Sequence, residues 1–161
     1  MKNLYILLGS NQGDSRSVFQ KAIQMLSIPF NAPITFSRLY SSPPWGFEAD
    51  TNFLNQVLAF KTNMPAEAVL TECLATEQQL GRVRTGLAGY SSRIIDIDVL
   101  YYGPTVCQTA TLDLPHPQLH NRRFTLLPLC DVAPDFVHPL LGKTNADLLA
   151  ECCDMAEVVA I

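Results

Sequence analysis

Residues 94–102, Ile-Ile-Asp-Ile-Asp-Val-Leu-Tyr-Tyr, constrain the fold more than any other stretch of the chain. β-Branched and aromatic residues dominate the segment. Ile95, Ile97 and Val99 alternate with Asp96 and Asp98, the period of two of a strand with one buried face. Residues i and i+2 of a strand share a face, with α-carbons roughly 6.5–7 Å apart. The two aspartates therefore stand side by side, opposite the apolar face. Like charges at that spacing repel, and strands disfavour aspartate, so something must offset the cost. A hard divalent cation does so directly: Mg²⁺ takes one or two carboxylates and completes its shell with water and phosphate oxygens. Two such ions held a few Å apart can clamp a transferring phosphoryl group. The alternative is an edge strand with one wet face.

The arginines bear on that choice. Five of the seven (Arg82, Arg84, Arg93, Arg122 and Arg123) fall within residues 82–123, where the acids are three aspartates. Residues 131–161 hold six acids against Lys143 alone. Arginine rather than lysine suits planar, bidentate recognition of phosphate or carboxylate. Each arginine singly is an ordinary surface ion pair. As a set beside two acidic metal ligands, with His116 after the next turn, they meet the needs of phosphoryl transfer, where catalysis is mostly positioning and charge neutralisation.

Composition narrows the classes further. A formal charge of −4 and a pI near 5.2 argue against binding nucleic acid by bulk positive charge. Apolar content of 48% with 16% charged residues excludes disorder. No apolar stretch reaches the ~18 residues of a membrane span. The apolar run from Leu4 to Leu8 is too short for the core of a signal peptide, so a cytoplasmic protein with no membrane partner is expected. Five scattered cysteines without a CxxC pair are expected to be reduced, mostly buried thiols.

A chain of 161 residues can bury roughly 70% of its unfolded surface around one core, so a single domain over residues 1–161 is expected. A first strand ends in the turn-rich Gly9-Ser10-Asn11-Gln12-Gly13-Asp14, where Asp14 or Ser15 caps a helix with Val18, Ala22, Met25 and Leu26 inward. Strands follow over residues 34–41 and 53–62, and Pro65 opens a helix with Ala68, Val69, Cys73, Leu74 and Leu80 inward. After the strand at 94–102 come a hairpin-like excursion and helices over 122–132 and 145–153, the latter including Cys152 and Cys153. The order βαββαβ predicts an α+β, ferredoxin-like sandwich: a mainly antiparallel sheet with packed helices.

Two phosphate-loop imitations fail. Gly142-Lys143-Thr144 lacks the glycine five positions upstream, where Val137 stands, and reads as a turn with a helix cap. The glycines at 9 and 13 lack dinucleotide-fingerprint spacing. His120 and His138 read as surface or ordinary structure. A second constellation is more informative. Ser42-Pro43-Pro44-Trp45-Gly46 is followed by Phe53-Leu54-Asn55, with Phe47 between them. Aromatic faces and an amide suit a planar heterocycle with an amide-like edge; alternatively, Phe53 is core and Asn55 ends an unpaired stretch.

Together these segments resemble the 6-hydroxymethyl-7,8-dihydropterin pyrophosphokinase family over nearly the whole chain. The resemblance rests on residues 7–14, 40–46, 53–55, 77–82, Arg93 with Asp96-Ile97-Asp98, and Pro115-His116-Pro117 through Arg122-Arg123-Phe124. It implies transfer of the β,γ-diphosphate of ATP to the pterin hydroxymethyl oxygen with release of AMP. Asp96 and Asp98 would hold two Mg²⁺ ions, and Arg82 and Arg93 would steady the polyphosphate. Glu77, Arg84, His116 and Arg122 would join the ATP site. Phe53 and Phe124 would sandwich the pterin, with Asn55 and residues 42–45 (Ser42, Pro43, Pro44, Trp45) reading its polar edge. Loops 44–52 and 82–92 would close over both substrates. No nucleic acid and no obligatory protein partner are implied. This chain departs from the family pattern at Ser91-Ser92, where Gly-Pro is usual, and at Gln118, where a basic residue is common, while Tyr90 keeps an expected aromatic. The rivals are an RNA-binding sheet domain, whose Lys/Arg-Gly-Phe strand motif and basic balance are missing here, and a binding regulator without turnover.

Overall fold

The computed structural model describes residues 1–83 and 93–161. Its element order is β1 (Lys2–Ser10), α1 (Ser15–Phe30), β2 (Thr35–Phe36), β3 (Tyr40–Ser42), β4 (Phe53–Thr62), α2 (Ala66–Gln79), β5 (Asp96–Tyr102), β6 (Cys107–Gln108), β7 (Asp113–Leu114), α3 (Arg123–Val132), α4 (Asn145–Glu151) and β8 (Val159–Ala160). The fold is α+β. One antiparallel sheet runs β5-β1-β4-β3-β8, with β2 also on β4, and β6 and β7 form a separate hairpin.

β1 is central and buried from Leu4 onward, which explains its unbroken apolar run. Its even positions Leu4, Ile6 and Leu8 join Leu58 and Phe60 of β4 and Ile97 and Val99 of β5 under α1 and α2. Its odd positions Tyr5 and Leu7 join Val57, Ala59 and Tyr101 under α3 and α4. Between β1 and β5 the register shifts: Ile6 faces Val99 and Tyr5 faces Tyr101, leaving Leu100 as an extra residue. This bulge reverses the alternation of β5. Upstream of it, Ile95, Ile97 and Val99 are buried in the first core, as the alternation predicted.

Several local expectations need correction. The single strand expected over 34–41 is two short strands, β2 and β3. Between them the Ser37 hydroxyl accepts the Val57 N–H at 2.9 Å, so a side chain makes a contact that a continuous ladder would give to backbone. Asp14 caps α1 by accepting from Ser17 N at 3.1 Å, and the fully buried stripe is Phe19, Ala22, Leu26 and Phe30; Val18, as expected, packs half-buried against the same core, and Met25 is only half-buried. In α2 Leu74 faces solvent and Glu77 faces inward, because the Glu77 carboxylate has buried partners described below. The thiols are not mostly buried: Cys73 is, Cys107, Cys130 and Cys152 are half-buried, and Cys153 is exposed. Helix α4 ends at Glu151, before both terminal cysteines. His138 is buried in ordinary structure, accepting the N–H groups of Leu140 and Leu141. Thr144 and Asp147 form a capping box on α4. Among the described residues no helix is long and apolar enough to cross a membrane.

Candidate active site

The second core stops at Leu7 and Val57. Beyond it the same face of the sheet carries a row fixed by strand register: Asp96 opposite Gly9, Gly9 opposite Asn55, and Asn55 opposite Tyr40. Asp98 lies opposite Leu7, and Phe53 opposite Ser42. The aspartates, separated in sequence from Asn55 by some forty positions, therefore share one floor with it across β1. A cavity stands on this floor. Ser42, Pro43, Trp45, Phe53, Asn55 and Phe124 line its aromatic side, and Arg93, Asp96, Asp98 and Arg122 line its charged side.

The charged side is densely bonded. Asp96 lies between two guanidiniums: Arg82 donates to Oδ1, and Arg93 donates to Oδ2 at 2.9 Å. Glu77 stands behind Arg82 and does not line the cavity. Its Oε1 accepts from Arg82 at 2.9 Å and from the N–H of Ile97 at 2.7 Å. A buried carboxylate of α2 thus grips β5 at the residue between the two aspartates. Burial works against the Arg82 charge, but Asp96 and Glu77 outweigh it and its pKa rises. Burial first, and then the like charge of Asp96, push the Asp98 carboxyl well above the usual carboxylate range. Burial and Asp96 thus outweigh the Arg122 and Arg93 guanidiniums and disfavour the Asp98 charge, a cost that a bound hard cation would offset. Among the described residues no group of three or more acidic, histidine or cysteine side chains could hold a metal ion by itself.

His116 Nε2 stands 4.0 Å from Asp98 Oδ2. Burial, then the Arg122 guanidinium, lower its pKa to about 4, so the ring is neutral near pH 7 and the contact is no ion pair. Its Nδ1 accepts the Gln118 N–H at 3.1 Å, which leaves the ring proton on Nε2, facing Asp98.

On the aromatic side Asn55 is buried, and its Nδ2 donates to Ser42 Oγ at 2.8 Å. Phe47 meets Phe53 edge-on, with centroids 5.9 Å apart. The Arg122 guanidinium sits 4.5 Å from the centre of the Trp45 ring and 5.7 Å from that of Phe124, so it joins the two sides of the cavity through cation–π contacts. Pro44 does not line the cavity, and Arg84 falls outside the described residues, as do Tyr90, Ser91 and Ser92.

Gly9 and Asn11 carried no assigned role in the sequence, nor did Leu7, which also lines the cavity. Gly9 is the centre of the floor; a Cβ there would lie 3.8 Å from Asn55 Oδ1 and 3.9 Å from both Asp96 Cβ and Phe53 Cδ1. Asn11 clamps Arg93, donating its N–H to Arg93 O at 3.1 Å and accepting the Arg93 N–H on Oδ1 at 2.8 Å. Its carbonyl also accepts from Thr51 Oγ1 at 2.8 Å. The Gly9-Ser10-Asn11 sequence was visible as a turn, and its pairing with residue 93 was not.

The chain is similar to known proteins in both sequence and fold. Residues 5–134 match the family model of 7,8-dihydro-6-hydroxymethylpterin-pyrophosphokinase. The chain is 42% identical over 148 residues to the 2-amino-4-hydroxy-6-hydroxymethyldihydropteridine pyrophosphokinase of Porphyromonas gingivalis, covering 90% of this chain and 99% of that protein. It is 39% identical over 159 residues to the enzyme of the same name from Aquifex aeolicus, covering 95% and 98%. An HPPK-DHPS crystal structure in complex with substrates shares the fold with a TM-score of 0.74 at 12% identity; 93% of this chain aligns to 43% of that longer chain. The Plasmodium falciparum HPPK-DHPS with pteroate aligns similarly, with a TM-score of 0.73 at 14% identity over 93% and 44%. The chain belongs to the 7,8-dihydro-6-hydroxymethylpterin-pyrophosphokinase family, the pyrophosphokinases of folate biosynthesis.

Proposed function

We propose that the cavity is the catalytic centre of one domain that carries the β,γ-diphosphate of ATP to 6-hydroxymethyl-7,8-dihydropterin. The hydroxymethyl oxygen forms a bond to the β-phosphorus and gives up its proton to solvent, the bond from that phosphorus to the α–β bridging oxygen breaks, and AMP leaves with the bridging oxygen. The observation that carries this reading is the shared floor: an Asp96–Asp98 pair flanked by Arg82 and Arg93 opens directly onto an aromatic slot with Asn55 at its base.

Phe53 and Phe124 stack on the two faces of the pterin, and Asn55 with Ser42, Pro43 and Trp45 reads its polar edge. Arg82 and Arg93 leave Asp96 for the polyphosphate as charge develops on it. His116 offers its Nε2 proton, and Arg122 its guanidinium, to ATP oxygens. Asp96 and Asp98 would hold two Mg²⁺ ions, which when bound supply charge neutralisation and alignment of the phosphates. Glu77 supports the ATP side through Arg82 and the Ile97 N–H. The strand order, in which β5, β1, β4 and β3 succeed one another, supports a ferredoxin-like core, and a cytoplasmic setting fits the reduced thiols.

³¹P NMR of the protein with ATP, Mg²⁺ and 6-hydroxymethyl-7,8-dihydropterin tests the reading. AMP and a pterin diphosphate are expected, and only when both Mg²⁺ and pterin are present. ADP in place of AMP overturns diphosphate transfer. Binding of both substrates without turnover makes the chain a regulator instead.

A further inference from the structure

Residues 152–161 lie beyond the stretch that the family model matches, yet they bond to residues that adjoin both walls of the cavity. At one wall, α3 begins without a capping side chain of its own and with no acidic residue in its first turn. Asp154 supplies what is missing: its Oδ2 accepts the N–H of Arg123 at 3.0 Å. An acceptor carrying negative charge is what the unpaired donors of a helix start require. The contact falls between Arg122 and Phe124, both of which line the cavity. Asp154 is held in turn, accepting the Ala156 N–H on Oδ1 at 3.1 Å. At the other wall, β8 pairs with β3, Tyr40 opposite Ala160 and Ser41 opposite Val159, and Ile161 N–H donates to the Leu39 carbonyl at 2.9 Å. β3 leads straight into Ser42 and Pro43 of the aromatic slot, and without β8 it would be an open sheet edge.

We infer that residues 154–161 form a strap that sets the width of the heterocycle slot, with Asp154 as a positioning residue for Arg122 and Phe124. This rests on the reading of the cavity as a pterin site. One segment fastens both the start of α3 and the strand that delivers Ser42, so loosening either end lets one wall drift from the other. The strap acts on fit rather than on chemistry, since none of its residues lines the cavity beside the aspartates.

The test compares Asp154→Ala, Asp154→Asn and Val159→Pro in the full chain by two readouts. Amide hydrogen exchange needs no substrate. Asp154→Ala is expected to speed exchange at Arg123 about five- to tenfold, the scale of a lost cap, while Asp154→Asn, which keeps an oxygen acceptor, stays within about twofold. Val159→Pro removes a ladder donor and is expected to speed exchange at Ile161 without affecting Arg123. In steady-state kinetics Asp154→Ala and Val159→Pro are each expected to raise KM for the pterin about five- to tenfold with kcat little changed, and Asp154→Asn to restore it. Faster exchange with an unchanged pterin KM overturns the strap alone. A fall in kcat without a change in KM, or failure of Asp154→Asn to restore, also overturns it. An unsubstituted chain that binds no pterin overturns the reading of the cavity, and the strap with it.

Discussion

At Gly9 the missing side chain is itself a structural feature. The position lies between Asp96 and Asn55 on the floor, and a Cβ would make only ordinary contacts there. Atoms beyond a Cβ would rise into the slot. Gly9→Val is therefore expected to fold and to lose pterin binding by a factor of ten or more, on the order of the 1–3 kcal/mol of an overpacked site; calorimetric titration checks this, and undiminished affinity would remove Gly9 from the floor. Asp98 is the complementary case, a charge where the fold would be more comfortable without one. Asp98→Ala is expected to lower the rate of AMP release by about a thousandfold or more, the scale of a lost electrostatic anchor, while the melting temperature holds or rises because a desolvated carboxylate has gone. A rate within tenfold of the original would dismiss Asp98 as a ligand.

The elements carry a second kind of information, which residue types alone do not show. Arg38, between β2 and β3, donates to both carboxylate oxygens of Asp131 near the end of α3, and Tyr40 OH donates to the same group. Burial disfavours the Asp131 charge, but hydrogen bonds from Arg38 and Tyr40 outweigh it and its pKa falls below the ordinary carboxylate value. A depressed acid stabilises the fold fully above its unfolded-state pKa near 3.8 and loses that contribution as pH falls through its lower folded value. Asp131→Asn is thus expected to lower the urea midpoint at pH 6, with the gap closing below about pH 3.8; a gap independent of pH would place the effect elsewhere. The bulge at Leu100 acts on the same scale. It lets β5 present Ile97 and Val99 to one core and Tyr101 to the other while both aspartates keep to the cavity face.

For the molecule as a whole, one face of the sheet carries only core, while the other is shared between a second core and the cavity. The first core is closed by α1 and α2, and Leu58 is fully buried in it. Leu58→Ala is expected to cost about 2–5 kcal/mol in urea unfolding with little change in the affinity of the folded protein for ATP or pterin; a specific affinity loss would show that the two faces are coupled. The grouping of the cavity's residues was legible in the sequence where it resides in residue types at short spacings. Asp96 and Asp98 two apart, Phe53 and Asn55 two apart, and Arg122 two before Phe124 declare shared faces or turns without any knowledge of the fold. The strands at 53–62 and 94–102 were legible for the same reason, as local patterns of apolar residues. At two of the places where the sequence reading erred, a partner distant in the chain had intervened: Glu77 turned inward to meet Ile97, and Ser37 interrupted a strand to meet Val57. The sequence by itself thus determined the donors, the aromatic faces and the order of elements, since local backbone geometry converts spacing into direction. Only the tertiary structure decided that Gly9 separates Asp96 from Asn55, that Asn11 clamps Arg93 and that Asp154 caps α3. Each of those contacts joins residues at least 31 positions apart, and strand register and chain path, rather than any local spacing, bring them together.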